Sequence, residues 1–296
     1  MGEQFDVIEA GTPRRRRRLG VALLALVVAV PLAGWLISRD PEPAQQAERQ
    51  RPEPISTLVT VGTRPNVLTP TPRLVGGEKV LDLVFPDGRR AELRYPADLD
   101  FESLGIRPFQ GAVLRGETMN HYRQLVAPFS GEVEITKGGQ PLRHFTPNVT
   151  LWPRPSGSNP GQVLLFGFGD WRLALYDRPN GLTFDQRMTW ARNLKGTVTP
   201  EGFLTLSATG PLRLSKPGEY GYGREPAGPQ LWFGTSTGHM LVLVPLPGCR
   251  RNLRPPSVIM GTGSYGWVCR SGVYIGVAGP RRYIDHALES VEITVK

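Results

Sequence analysis

Glycine and proline decide what this chain can become. The sequence holds 35 glycines and 29 prolines among 296 residues, about one residue in five and nearly twice the usual share. Proline removes a helix hydrogen bond and clashes with the preceding turn, and glycine weakens a helix through backbone entropy. A helical bundle is therefore excluded. No collagen-like or low-complexity period accompanies the two residue types. With 40% hydrophobic residues the chain is too apolar to be disordered and too mixed to be a polytopic membrane protein.

One segment stands apart. Residues 19–37, LGVALLALVVAVPLAGWLI, run for nineteen positions without a charge. At 1.5 Å per residue they would span about 28 Å, close to the ~30 Å hydrocarbon core of a bilayer. Arg14, Arg15, Arg16, Arg17 and Arg18 stand immediately before them, whereas the other flank, Ser38-Arg39-Asp40, is nearly neutral. The positive-inside bias then predicts one transmembrane helix with a cytoplasmic N-terminus, hence a single-pass cell-membrane protein whose C-terminal region is extracytoplasmic. The arginine run reads as a topology determinant touching anionic lipid headgroups, not as a nucleic-acid site, because an eighteen-residue tail offers little surface. The alternative is a cleaved signal peptide, in which Arg17-Arg18 would pass for a twin-arginine signal, although no Ala-x-Ala cleavage site follows.

Export would set the chemistry of what remains. Residues 38–296 carry 30 basic and 23 acidic side chains, a mild positive bias suited to an anionic envelope polymer. Another envelope protein is the other partner expected. Cys249 and Cys269 are the two cysteines of the chain. In an oxidising compartment such a pair predicts one disulfide, worth roughly 3 kcal/mol in the chain-entropy model.

The expected organisation is a cytoplasmic basic tail over residues 1–18, a membrane helix over 19–37 and a proline-rich stalk over 38–72. A β-rich subdomain over 73–152 follows, and then an α+β subdomain over 163–296. The break falls in PRPSGSNPG at 153–161, where a long loop within one domain is the competing reading. The fold class expected is α+β: a β-rich, mainly antiparallel region with a few short helices, preceded by the transmembrane helix. Pro86-Asp87-Gly88-Arg89 between two apolar runs signals a hairpin. Strands are expected at 57–61, 132–136, 163–168, 171–176, 203–207, 231–233, 240–244, 258–260, 272–277 and 291–295. Thr183 with Gln186 three residues on forms a capping box that opens a helix ending near Gly196. A second helix starts with Pro280 at its first position. Two strand–helix–strand units result, about 100 residues apart, either an old duplication or a common α+β arrangement.

Few motifs carry chemistry. Gly261-Thr262-Gly263-Ser264-Tyr265-Gly266 matches the dinucleotide fingerprint, but apolar strand-like residues follow it where a helix is needed, so a β-hairpin is the better reading. His121, His144, His239 and His286 are scattered without metal-ligand spacing, and no S-x-x-K motif is present. Glu132 and Glu134 would share a strand face, as an acid pair or as solvated carboxylates. Trp152, Trp171, Trp190, Trp232 and Trp267 read as core residues before they read as a sugar platform. Asn148-Val149-Thr150 is a formal glycosylation sequon. No catalytic residue, metal or cofactor is expected. The chain reads as a membrane-anchored, non-catalytic extracytoplasmic module, the alternative being an envelope hydrolase without a recognisable motif.

The arginine run before a single apolar span, the stalk, and the phrases FPDGRRAELRYP and GDWRLALYD together resemble uncharacterised single-pass proteins of high-GC Gram-positive bacteria. That resemblance implies a location and no mechanism.

Overall fold

The computed structural model describes residues 65–153, 161–177, 181–249, 254–261 and 263–296, all within one unit running Thr60–Lys296. The first strands, β1 (Arg73–Val75), β2 (Glu78–Val84) and β3 (Arg90–Pro96), form an antiparallel meander. The turn between β2 and β3 is the one Asp87-Gly88 predicts. Phe85 N–H donates to the Arg89 carbonyl and Gly88 N–H to the Phe85 carbonyl, both at 2.8 Å, and Gly88 takes φ 86, which favours glycine.

After two short 3₁₀ turns come β4 (Ile106–Leu114), β5 (Arg123–Val126), helix α1 (Glu132–Thr136), β6 (Arg143–Thr146), β7 (Val149–Pro153), β8 (Gln162–Phe168) and β9 (Trp171–Tyr176). Helix α2 (Phe184–Asn193) leads into β10 (Leu194–Val198), β11 (Leu204–Ala208) and β12 (Leu212–Leu214). The chain closes with β13 (Gln230–Gly234), β14 (Met240–Pro245), α3 (Ser257–Met260), β15 (Tyr265–Arg270), β16 (Val273–Ala278), α4 (Arg281–Ser290) and β17 (Glu292–Val295).

An eleven-stranded sheet runs in the order β15-β16-β14-β13-β4-β5-β9-β8-β7-β6, with β12 also paired to β4. A four-stranded sheet runs β1-β2-β3-β17, and β10 pairs with β11 alone. Every pairing is antiparallel.

Side-chain alternation gives the large sheet two faces. On its inner face Leu231, Phe233, Leu241, Leu243, Ile275 and Val277 meet Leu81, Leu83, Leu93 and Ile293 of the small sheet, together with Ile284 and Ala287 of α4. Further along the same face Leu125, Leu164, Phe166, Leu173 and Leu175 meet Trp190 of α2 and Leu204 and Leu206 of β11. The outer face is covered more thinly. Ile259 of α3 joins Trp232, Val242 and Tyr274, and Ile135 of α1 joins Trp152, Val163 and Leu165.

Both longer helices stop in the same way. Leu194 and Val291 turn extended at the C-cap (ψ 128 in each) while their N–H groups still close the last helical bond, so helix passes into strand without a loop. The capping box of α2 is present in both directions between Thr183 and Gln186. Pro280 is the N-cap of α4, one residue before the first helical position.

The expected fold class is corrected in one respect. The described region is β-rich and antiparallel with few short helices, but no helix among the described residues is long and apolar enough to cross a membrane. The longest helices among the described residues have ten residues. Residues 19–37, Arg14 to Arg18, the strand expected at 57–61 and the stalk as far as residue 64 lie outside the described residues.

The end of the expected stalk already belongs to the fold. Leu68 pairs with Ile106, and the Asn66 side chain is 5% exposed and bonded to the carbonyls of Pro128 and Arg172. Residues 153–161 join β7 to β8, which pair with each other, so the boundary expected there falls inside one sheet.

Two segments expected to be strands are helical. Residues 132–136 are α1, because Gly131 turns the chain at φ 76 and the Glu134 carboxylate accepts the Ser130 N–H, ending the extended path. Residues 258–260 lie in α3, which starts directly after Pro256 as N-cap.

Candidate functional site

The outer face between α1 and the β7–β8–β9 strands carries an open cleft of about 310 Å³. Cross-strand pairing assembles it. Gly167 of β8 lies opposite Arg172 of β9, and Thr150 of β7 lies opposite Leu165 of β8, so Leu165 floors the cleft while Thr150, Asn148 and Arg172 line it. Helix α1 closes one side with Glu132, whose carboxylate accepts the Arg172 Nε at 3.2 Å.

Arg172 is held from several directions. Its Nη1 donates to the carbonyls of Gly169 (3.0 Å) and Trp171 (3.2 Å). Its backbone N–H donates to Asn66 Oδ1 and its carbonyl accepts from Asn66 Nδ2, at 2.9 and 2.7 Å. The Nη2 group makes no bond within the described residues and remains to donate to a ligand. Asn148 Nδ2 donates to the Gly167 carbonyl at 3.1 Å while its Oδ1 accepts from Thr146. Thr150 Oγ1 accepts the Trp152 indole N–H at 2.7 Å, which leaves its hydroxyl proton for an outside acceptor. The cleft thus offers a carboxylate acceptor, a guanidinium donor, an amide and a hydroxyl over an apolar floor. Its two charges compensate each other, so it has no strong sign.

The two carboxylates of α1 have separate engagements, Glu132 with the Arg172 guanidinium and Glu134 with the Ser130 N–H. Glu132 serves Arg172. Glu134 lies near enough to Arg107 for its charge to favour the guanidinium, although burial is the larger effect and lowers the Arg107 pKa. Arg107 is 8% exposed, donates to the Ala127 and Gly234 carbonyls, and lies between the rings of Phe129 and Trp232. Such a cation stays folded because aromatic faces and carbonyl dipoles replace part of its hydration.

The other residues singled out by sequence are dispersed. Cys249 and Cys269 form a disulfide, with Cα atoms 5.8 Å apart. Gly263 and Gly266 precede and enter β15, so a strand follows the glycines and no helix is there to hold a pyrophosphate. His121 contacts Thr118, His239 stacks on Tyr283 with ring centroids 4.0 Å apart, and His144 is exposed on β6. His286 lies 3.1 Å from Asp98 on open surface, and the nearby Ser290 hydroxyl bonds to the His286 backbone carbonyl, away from the ring. Trp152, Trp171, Trp190 and Trp232 are buried, and Trp267 stacks half-buried on Tyr274. Among the described residues no three His, Cys, Asp or Glu side chains gather to hold a metal.

Sequence reading missed Arg172 and Thr150 as site residues. A signal existed for Arg172, the one charge within the otherwise apolar run WRLALY of β9. Neither a family model, nor a curated protein, nor a solved structure matches the chain.

Proposed function

We propose that the chain is a non-catalytic binding module acting outside the cytoplasm, and that the cleft at Glu132, Asn148, Thr150 and Arg172 takes a polyhydroxylated envelope component. The observation that carries this reading is the compensated Glu132–Arg172 pair beside an amide and a hydroxyl. Hydroxyl-rich ligands need donors and acceptors side by side without net charge, and a side chain already fixed by the protein loses little entropy on binding. The disulfide supports a place outside the reducing cytoplasm.

Titration calorimetry of the full chain with soluble glycan fragments released from bacterial cell wall tests the reading. Binding is expected, weakened at least ~10-fold, about 1.4 kcal/mol, by Asn148→Ala and by Arg172→Ala. Absence of binding, or binding by both variants as tight as by the parent, would refute it. Turnover of the fragments would favour a hydrolase instead.

A further inference from the structure

A sheet with free ends has to prevent strangers from pairing with them, and the ends of this large sheet are not treated alike. The β6 end is short, exposes Arg143 and His144, and is broken by a register shift between His144 and Thr146. These are the ordinary defences of an edge. The β15 end has none of them. It pairs with β16 over six residues in unbroken register, from Tyr265 opposite Ala278 to Arg270 opposite Val273. Its single charge, Arg270, is turned underneath, where the guanidinium donates to the carbonyls of Leu288, Glu289 and Val291 at the end of α4.

Ladder geometry fixes which backbone groups face outward. The Ser264 carbonyl accepts the Gly279 N–H, so alternate residues from 264 turn their groups toward β16, and Tyr265, Trp267 and Cys269 turn theirs away. Those three residues make no backbone bond on that side within the described residues. Their side chains share the outer face, where Trp267 lies on Tyr274 and Tyr265 is 37% exposed.

We propose that β15 is an interface between two copies of this chain, which pair antiparallel about a dyad at Trp267 and so join their large sheets. The register centred there is self-complementary. Trp267 meets Trp267, Tyr265 meets Cys269, Gly266 meets Val268 and Arg270 meets Ser264, so no two like charges face each other and all three outward-facing residues find partners. A register moved by one residue would aim paired groups at unpaired ones. A peptide from another protein would satisfy the same hydrogen bonds, but nothing on this edge selects for its sequence, whereas the strand complements itself.

Sedimentation of the full chain at loadings up to about 100 µM, a concentration that fills even a weak interface, tests the proposal. A dimer is expected. Tyr265→Pro removes an N–H that has no partner among the described residues, at the first residue of an edge strand where proline is tolerated. By symmetry it strikes the interface twice and should weaken association at least ~10-fold. Tyr265→Lys serves should the proline variant fail to fold. Leu142→Lys, beside the opposite edge, should leave association unchanged. A monomer at every loading would overturn the proposal. So would a dimer that persists in a Tyr265 variant with an unaltered thermal melt, or a monomer that instead captures an extended peptide at β15.

Discussion

Close backbone approach at one position ties the middle of the large sheet to the segment that leads into β13. Gly111 sits within β4, its N–H donates to the Ala227 carbonyl at 2.9 Å, and its carbonyl accepts the Ser215 N–H at 2.7 Å. A Cβ on Gly111 would stand 2.3 Å from the Ala227 oxygen and 3.0 Å from both Ser215 Oγ and a Tyr122 ring carbon. The first of these neighbours is backbone and cannot rotate away. Gly111→Ala should therefore cost about 2 kcal/mol, as overpacked cores do, and chemical denaturation should show the midpoint falling at constant slope. An unchanged midpoint would mean that the 215–227 segment is free to retreat. A glycine inside the strand FQGAVL is the sequence form of this constraint, since mid-strand glycine marks a bulge or a close approach.

Among the elements, the exposed side of the small sheet is where charge and pH meet. Asp82 and Glu92 face each other across β2 and β3, an unfavourable arrangement for two carboxylates. Lys296 reaches both, Arg73 reaches both, and Arg94 reaches Glu92. Hydrogen bonding from Lys296 holds Asp82 below its ordinary 3.8, and hydrogen bonding from Arg94 holds Glu92 below its ordinary 4.5. Carboxylates depressed in the folded state contribute stability above their unfolded values and lose it as the pH falls through the folded ones. Lys296→Met should accordingly melt below the parent at pH 7, and the gap should close below about pH 3. A gap independent of pH would show that the lysine acts through its stem and not its charge. Elements as such were legible wherever turn chemistry and alternation agreed, as at Asp87-Gly88 and in RAELRYP. The capping box at Thr183 was equally plain. Reading failed where burial on both sides erased the alternation, as in IRPFQGAVL of β4, which is buried at all nine positions. It failed too where a short helix borrowed a strand's pattern, as EVEIT does, because only the Gly131 turn and the Glu134 bond to Ser130 decide between them. The cleft stayed hidden for a related reason: Glu132, Thr150 and Arg172 lie on different elements, and only strand register brings them to one face.

At the scale of the unit that holds the described residues, the decisive fact is that one eleven-stranded sheet is continuous while its covering layers are separate pieces, the small sheet with α4 and the β10–β11 hairpin with α2. Disruption at the β15 end should therefore spread through the sheet it terminates. The Cys249–Cys269 disulfide ties that last strand to the chain leaving β14, two strands further in, across a separation of 20 residues. Closing a loop of this size restricts the unfolded chain by about 3 kcal/mol, and for a domain of this length that corresponds to a melting shift of ~6–12 °C. Reduction, or the paired change Cys249→Ser with Cys269→Ser, should lower the melting temperature by that amount and leave far-ultraviolet circular dichroism below the melt unaltered, because β15 keeps its whole ladder to β16 without the bridge. A much smaller shift would mean that the segment joining the two cysteines is already ordered in the unfolded chain. Loss of strand signal in the cold would mean that β15 holds its place only through the sulfur link, and that the edge is built by the disulfide and not by its pairing.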